Sequence, residues 1–529
     1  MLKFMRQTLS KFFKSNRTVI FNLLTIYLLA VAVRLYVVRD YNFPFWFDVG
    51  RDAAVSRGIL EKPDLKIQGP SASGTNDTVY HGVFYYYLIG PLYTLFGGNP
   101  QLVLMALIFL SSLSIIPVFL LAAEIGESRI TGYFAALLYV FSYDAIRGNV
   151  WLSNPVIDSV MIPFFFYLLW RIFFKNHGLK NEVSEIKLFP WLALVLALIH
   201  QGAILYVTLW GVIGVAFLYA YEEKKFRQNL TSKLILQSGL VYLLGISTMI
   251  LAQFKAWRAG IFNLVSLKDY ASWPDTGLGV VWDTLSLYLK KIAQVSLPTY
   301  PILGLIFVGA ALFFVSKLPS QKKSFLFLAL MSPLFLLGWH FGNMYHGVLG
   351  LEVIILIMTA LFLTNLPKKP LARGLQVGFI FLFLLSNLNM AKAEFGQKRS
   401  LYFLPQGAYL KDQLNLLDET YKIADGQEFT ISSVTNPFGY NTLWAYLYDW
   451  YGQKTYGYKP KYFGPDQTGI FGGELLEPAQ KPAQIHFSIY DPSDGIPGWL
   501  FEEFSQKQNI DVGSASAILQ FGTLKVEVR

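Results

Sequence analysis

Apolar residues in this chain come in blocks of roughly 15 to 22 separated by short charged loops, the length that crosses about 30 Å of hydrocarbon at 1.5 Å per residue. The pattern predicts an α-helical polytopic membrane protein with about eleven spans, near 18–38, 101–123, 131–146, 157–174, 188–200, 202–221, 234–254, 297–316, 324–341, 348–366 and 374–391. The block 188–221 would be about 51 Å long if straight, so it should turn near His200, Gln201 and Gly202. The aromatic block from His81, HGVFYYYLIGPLYTLFG, is short and broken by Gly90 and Pro91. If it crossed, the basic loops KNHGLKNEVSEIK, EEKKFRQNLTSK, KLPSQKKS and PKKPLAR would all fall outside, against the positive-inside rule. It therefore reads as a re-entrant or interfacial helix.

With that parity the N-terminus is cytoplasmic, and the first loop (39–100) and everything after Ala391 are extracytoplasmic. The opening MLKFMRQTLSKFFKSNR carries five basic and no acidic residues, and the apolar run that follows it is too long for a signal-peptide core. The expected division is a transmembrane domain over 1–391 and a small extracytoplasmic α/β domain over 392–529. In that last segment the runs EFTISSV, AQIHFSIY and TLKVEV alternate with turn signals.

Composition agrees with a bilayer setting: 54% of the 529 residues are hydrophobic and only 15% charged, too little polar surface for a soluble domain of this size. The net charge of +10 lies in loop clusters between apolar blocks and not on one amphipathic face, which argues against nucleic acid as a partner. Zero cysteines exclude disulfides, thiolate metal sites and cysteine nucleophiles. No P-loop, no GxGxxG after a strand and no HExxH is present, so nothing marks a cytosolic nucleotide site.

Polar groups in so apolar a chain must find water, a partner or a substrate. Most of the distinctive ones map to the outer side: Asp40, Asp48, Arg51, Asp52, His81, Asp144, Arg147, Asp158, His200, His340 and His346. The densest cluster is FPFWFDVGRDAAVSRGIL, where Asp48, Arg51 and Asp52 share one helix face, with Asp48 in the first turn. Spacing alone leaves two readings open, a capped interfacial helix with a local ion pair or a catalytic carboxylate pair. Arg147 is likewise either a snorkelling side chain at a helix end or a phosphate ligand. His81 and His200 each stand between a structural histidine and a substrate contact. Two clustered acids also leave a divalent metal open, since carboxylates and water bind Mg²⁺ or Mn²⁺ weakly.

The order of motifs supplies more than the spacing does. Asp48 in FDVGRDA follows the first span; then come GPSASG (69–74), YHGVFYYYLIGPLYTLFGGNP (80–100) and IRGNVWLSNP (146–155). This order resembles the GT-C glycosyltransferases related to protein O-mannosyltransferases and the bacterial aminoarabinose transferase, often grouped as family 39. The resemblance covers roughly residues 18–215. It implies a membrane-embedded inverting transferase that moves a sugar from a polyprenyl-phosphate donor to an acceptor at the outer face of a cell membrane. It implies Asp48 as the catalytic base, with Asp52 as the second acid. Arg51, His81, Tyr85, Arg147 and His200 are the expected substrate contacts. Many family members place Glu directly after the Asp, whereas Val49 stands here. The residues do not select among lipid, protein and polysaccharide acceptors. Two other classes compete: a polymerase or ligase using a polyprenyl diphosphate, and a secondary transporter. The latter should show repeated halves and mid-span charges, of which Glu352 is the main one here.

Overall fold

The computed structural model describes residues 17–61, 65–70, 80–175, 183–258, 278–338, 349–396, 408–492 and 496–529. His340, His346 and most of the GPSASG motif lie outside these residues. The chain divides into two compact units. The first comprises Met1–Tyr36, Ile67–Phe84 and Leu107–Ala391; the second comprises Val37–Lys66, Tyr85–Ala106 and Lys392–Arg529.

Among the described residues five helices are long and apolar enough to cross a membrane: Arg17–Val37, Pro100–Ile125, Pro155–Phe174, Ile204–Tyr221 and Pro370–Phe395. Two further pairs pass the same test as bent units, Ser232–Gly245 with Ser247–Lys255 (56°) and Val281–Ser296 with Pro301–Ser316 (89°). Where the sequence predicts one span over 131–146, the helix Arg129–Phe141 ends at Ser142, whose backbone is extended (φ −65°, ψ 125°), and a second helix, Tyr143–Asn149, begins. Thirteen residues cover about 20 Å, less than a bilayer core. The aromatic helix Phe84–Leu95 is shorter still at 12 residues. The block 188–221 turns where its length requires: Phe189–Gly202 ends, Ala203 is extended, and Ile204–Thr208 starts a new direction.

The first unit is laced by polar bonds at helix ends. Asn149 is its hub: its Oδ1 accepts from Arg34 Nε (2.9 Å), its Nδ2 donates to Ser159 Oγ (3.2 Å), and its carbonyl accepts from Ser111 Oγ (2.9 Å). Three apolar helices are thereby fixed to one residue of the IRGNVW segment.

The second unit is built around a five-stranded sheet in the order β2-β1-β3-β5-β4, with β1 Phe429–Val434, β2 Lys461–Tyr462, β3 Ile485–Tyr490, β4 Ala517–Phe521 and β5 Leu524–Val528. The first three are parallel, and β5 and β4 run antiparallel beyond β3. The three runs legible in the sequence are β1, β3 and β5. Every residue of β1 is buried, as expected for a central strand covered on both faces. The residues before the first-loop helix join this unit by backbone pairing: Phe45 N–H donates to Ala408 O (2.6 Å), Leu410 N–H to Phe43 O (3.0 Å), and Gln413 Nε2 to Phe45 O (2.6 Å).

Candidate active site

The first-loop helix Phe47–Glu61 starts with Asp48 in its first turn, where the positive helix end favours a carboxylate. Small residues on its buried side admit close neighbours. A Cβ at Gly50 would stand 3.2 Å from Leu443 Cα, and one at Gly90 would stand 2.9 Å from the Ser56 carbonyl, so the helices Thr442–Leu447 and Phe84–Leu95 approach it backbone to backbone.

Arg51 is the centre of the polar face. Its Nη1 lies 2.7 Å from Asp48 Oδ1, while Nε and Nη2 donate to Asp52 Oδ1 at 3.0 and 2.8 Å. The guanidinium also sits over the Phe47 ring, 5.7 Å from its centroid. The two acids differ in access. The Asp48 side chain is 44% exposed and that of Asp52 is 1% exposed. Asp48 Oδ2 accepts from Trp46 Nε1 at 3.3 Å. Asp52 Oδ2 has no hydrogen-bond partner, and neither do the buried hydroxyls of Tyr85 and Tyr93. The Tyr86 hydroxyl lies beside Asp52 and Arg51.

Burial lifts the Asp52 carboxyl up to about 6, against the opposing pull of Arg51. Burial also works against the Arg51 charge, but Asp52 and then Asp48 outweigh it and hold the guanidinium more firmly protonated than usual. Burial beside Asp52 raises Tyr85 and Tyr86 well above the ordinary phenol range, so both act as neutral O–H groups. Further along the helix, Arg57 Nη1 reaches Asp449 (3.2 Å), which Lys459 also grips at 2.8 Å.

In the first unit, His81 Nδ1 accepts the Ile204 N–H at 3.2 Å. The same turn is braced by His200, 1% exposed, whose Nε2 donates to Tyr206 O (3.0 Å) and whose Nδ1 accepts from Tyr242 Oη (2.7 Å). Gln201 ties in Gly82: Gly82 N–H donates to its carbonyl (3.0 Å), and a Cβ at Gly82 would overlap its side-chain amide. Arg147 is buried with its guanidinium 4.9 Å from the Trp151 ring centroid. Asp158 is fully buried, and neither carboxylate oxygen has a hydrogen-bond partner; a Cβ at Gly202 would lie 2.6 Å from its Oδ1.

Of the residues expected from sequence, the second unit brings together Asp48, Arg51, Asp52 and Tyr85, and the first brings His81 and His200 to one turn. Two buried cations escaped the sequence reading. Lys291, on the helix Leu278–Ser296 inside what reads as an outer loop, meets Asp144 Oδ1 at 2.5 Å with both side chains nearly dry. Arg34, within the first apolar helix, is fully buried. A charge inside an apolar block was the signal available for Arg34; for Lys291 it was the amphipathic pattern of 278–296.

No family model matches the sequence, and no curated protein sequence matches it. Solved structures do. The crystal structure of ArnT from Cupriavidus metallidurans bound to undecaprenyl phosphate aligns over 96% of this chain and 97% of its own, at 13% identity and a TM-score of 0.57. ArnT in the apo state gives 95%, 97%, 13% and 0.52. The chain has the GT-C fold. Both chains are covered almost end to end, so the likeness to a GT-C protein extends past residue 215, where the sequence motifs stop.

Within this fold the acid pair suits proton transfer better than metal binding. Arg51 occupies the position between the two carboxylates that a divalent ion would need, and both Oδ1 atoms are committed to it. Among the described residues no group of three or more His, Asp or Glu is placed to hold a metal ion. Asp48 is the acid that a solvent-borne hydroxyl can reach. The orphaned Asp52 and tyrosine oxygens around it are polar atoms whose hydrogen-bonding capacity the protein itself leaves unspent, as expected where a ligand or water completes the set.

Proposed function

We propose that the chain is an inverting glycosyltransferase that moves a sugar from a polyprenyl-phosphate donor to an acceptor hydroxyl at the extracytoplasmic membrane face. The observation that carries this reading is the unequal acid pair: an accessible Asp48 and a buried, half-satisfied Asp52 joined by one guanidinium, in a fold shared with a protein crystallised with undecaprenyl phosphate. In the reaction the acceptor oxygen bonds to the anomeric carbon as its proton passes to the Asp48 carboxylate. The bond from that carbon to the phosphate oxygen breaks, and the polyprenyl phosphate leaves with the electron pair. Arg51 is the cation assigned to that developing charge. Asp52 fixes Arg51, and Tyr85 contacts the sugar or acceptor.

The same reading makes the N-terminus cytoplasmic, places the chain in the cell (plasma or inner) membrane, and assigns 1–391 to the transferase domain and 392–529 to an outer domain. The direct test is transfer by the purified protein in liposomes supplied with polyprenyl-phosphate-linked hexoses and pentoses and read by thin-layer separation of the products. Glycosylated acceptor formed together with free carrier phosphate is the expected result. Turnover of polyprenyl-diphosphate glycans only, or substrate transport without bond cleavage, would replace this function with one of its competitors.

A further inference from the structure

An open cleft of about 390 Å³ lies in the sheet domain, remote in sequence from the first-loop acids. Its floor is the end of β3, Tyr490 and Asp491; one wall is the helix Gly498–Asp511 with Phe501 and Glu502, and the other is the β4–β5 hairpin with Gln520, Thr523 and Lys525. The strand pairing explains why a cleft forms there. Tyr490 at the end of β3 pairs with Lys525 of β5, and the helix Gly498–Asp511 and the β4–β5 turn both contribute to the space beside that strand end.

The lining has a definite chemistry. Planar acceptors and donors, the Glu502 carboxylate, Asp491 carboxyl and Gln520 amide, stand beside the Thr523 hydroxyl and the partly exposed Phe501 ring. The one cation, Lys525, is already neutralised by Glu527 at 2.8 Å and lies 3.8 Å from the Tyr490 ring centroid, so the cavity offers no surplus positive charge to an anion. Asp491 is held from below by Trp444 Nε1 at 2.9 Å. Burial lifts its carboxyl up to about 7, which lets it donate as well as accept near neutral pH. Donors and acceptors beside one aromatic ring fit a compact, uncharged, polyhydroxylated molecule, and the volume falls within the ordinary range of small-ligand pockets.

We propose that this cleft is a saccharide-binding site, with Asp491, Glu502, Gln520 and Thr523 taking sugar hydroxyls and Phe501 packing on the apolar face of the ring. The proposal rests on the cleft alone and not on the transferase reading.

Saturation-transfer NMR on the full chain in nanodiscs tests it. The probes are methyl β-glycosides of glucose, galactose, mannose and N-acetylglucosamine, none of which carries a polyprenyl group. At least one should receive saturation from the wild type, and Glu502→Ala/Gln520→Ala should cut that signal at least fivefold. Thr523→Trp, which fills the cleft from an exposed position, should do the same. Asp48→Asn should leave the signal intact. No transfer to any of the four glycosides, equal transfer in both cleft variants, or loss of the signal in Asp48→Asn would overturn the proposal.

Discussion

Arg51 grips Asp52 through two donors on a single oxygen, Nε at 3.0 Å and Nη2 at 2.8 Å, and leaves the second carboxylate oxygen buried without a partner. An arrangement chosen only for stability would use both oxygens, since an orphaned buried acceptor costs on the order of 1–3 kcal/mol. The third arm of the same guanidinium reaches Asp48, so the two acids share one charge and differ in access.

That difference sets the expected ranking of variants. Asp48→Asn should lower single-turnover transfer by about 10² to 10⁴ while donor affinity is kept, because only the base is removed. Asp52→Asn should cost less, and the double variant should fall short of the product of the two effects, as residues acting through a common partner do. Wild-type turnover in Asp48→Asn would remove the base assignment; a larger loss at Asp52 would move the role there.

The proposed role of Arg51 at the leaving phosphate has its own readout. Arg51→Lys keeps the charge but not the fork that serves both acids, so donor KM should rise and transfer should recover only in part relative to Arg51→Ala. Donor kinetics unchanged in both variants would return Arg51 to the role of a local ion-pair partner.

Asp52 also makes a statement about pH. Its carboxyl is raised from 3.8 to about 6 in the fold, so between about pH 4 and 6 the folded state holds a proton that the unfolded chain has lost. Stability therefore falls as pH rises through that window. Two pKa units correspond to about 3 kcal/mol, and the wild type should lose roughly that much relative to Asp52→Asn between pH 4 and 6.5. Parallel melting curves for the two proteins across that range would contradict it.

The buried pair of Lys291 and Asp144 behaves differently. Asp144→Ala removes the 2.5 Å partner of an ammonium that is only 2% exposed, leaving Glu352 to act on it, and should cost up to about 3–5 kcal/mol, whereas Asp144→Leu with Lys291→Met should recover part of the loss. Thermal unfolding in detergent distinguishes the two, and a single variant as stable as the double one would show that the pair is not mutually dependent.

Sidedness can be read with single cysteines, since the chain has none of its own. Cysteine at Lys225 or Lys322, in the basic loops, should resist an impermeant thiol reagent in intact cells, and cysteine at Gln453 should react. Labelling of the first two would reverse the parity and with it the outer-face site.

The sequence made part of this structure legible through strong, local signals. The length of apolar blocks marked Arg17–Val37 and Pro155–Phe174, and the turn at Gly202 followed from a block too long for one crossing. Short strand-like runs between turn signals marked β1, β3 and β5, but β2 has only two residues and β4 is a largely exposed edge, so neither carries a pattern. The Asp48, Arg51 and Asp52 cluster was visible because its members lie within one helical turn. Asn149 as hub, the Lys291 and Asp144 pair and the Gln201 clasp on Gly82 were not. Each joins segments far apart in sequence, and neither spacing nor composition encodes which distant partner a buried polar group finds.

The bond from Gln413 to Phe45 spans 368 positions of chain. At the usual pace of synthesis, about 5–20 residues per second, the segment leading into the Asp48 helix waits roughly 20 to 75 s for its partner to be made. During that interval the earliest chemistry-bearing loop has left the ribosome while the strands and helices that seat it do not yet exist. The start of the Asp48 helix is thus left without this clamp through most of translation, and seating it is an event of the finished fold and not of the emerging chain.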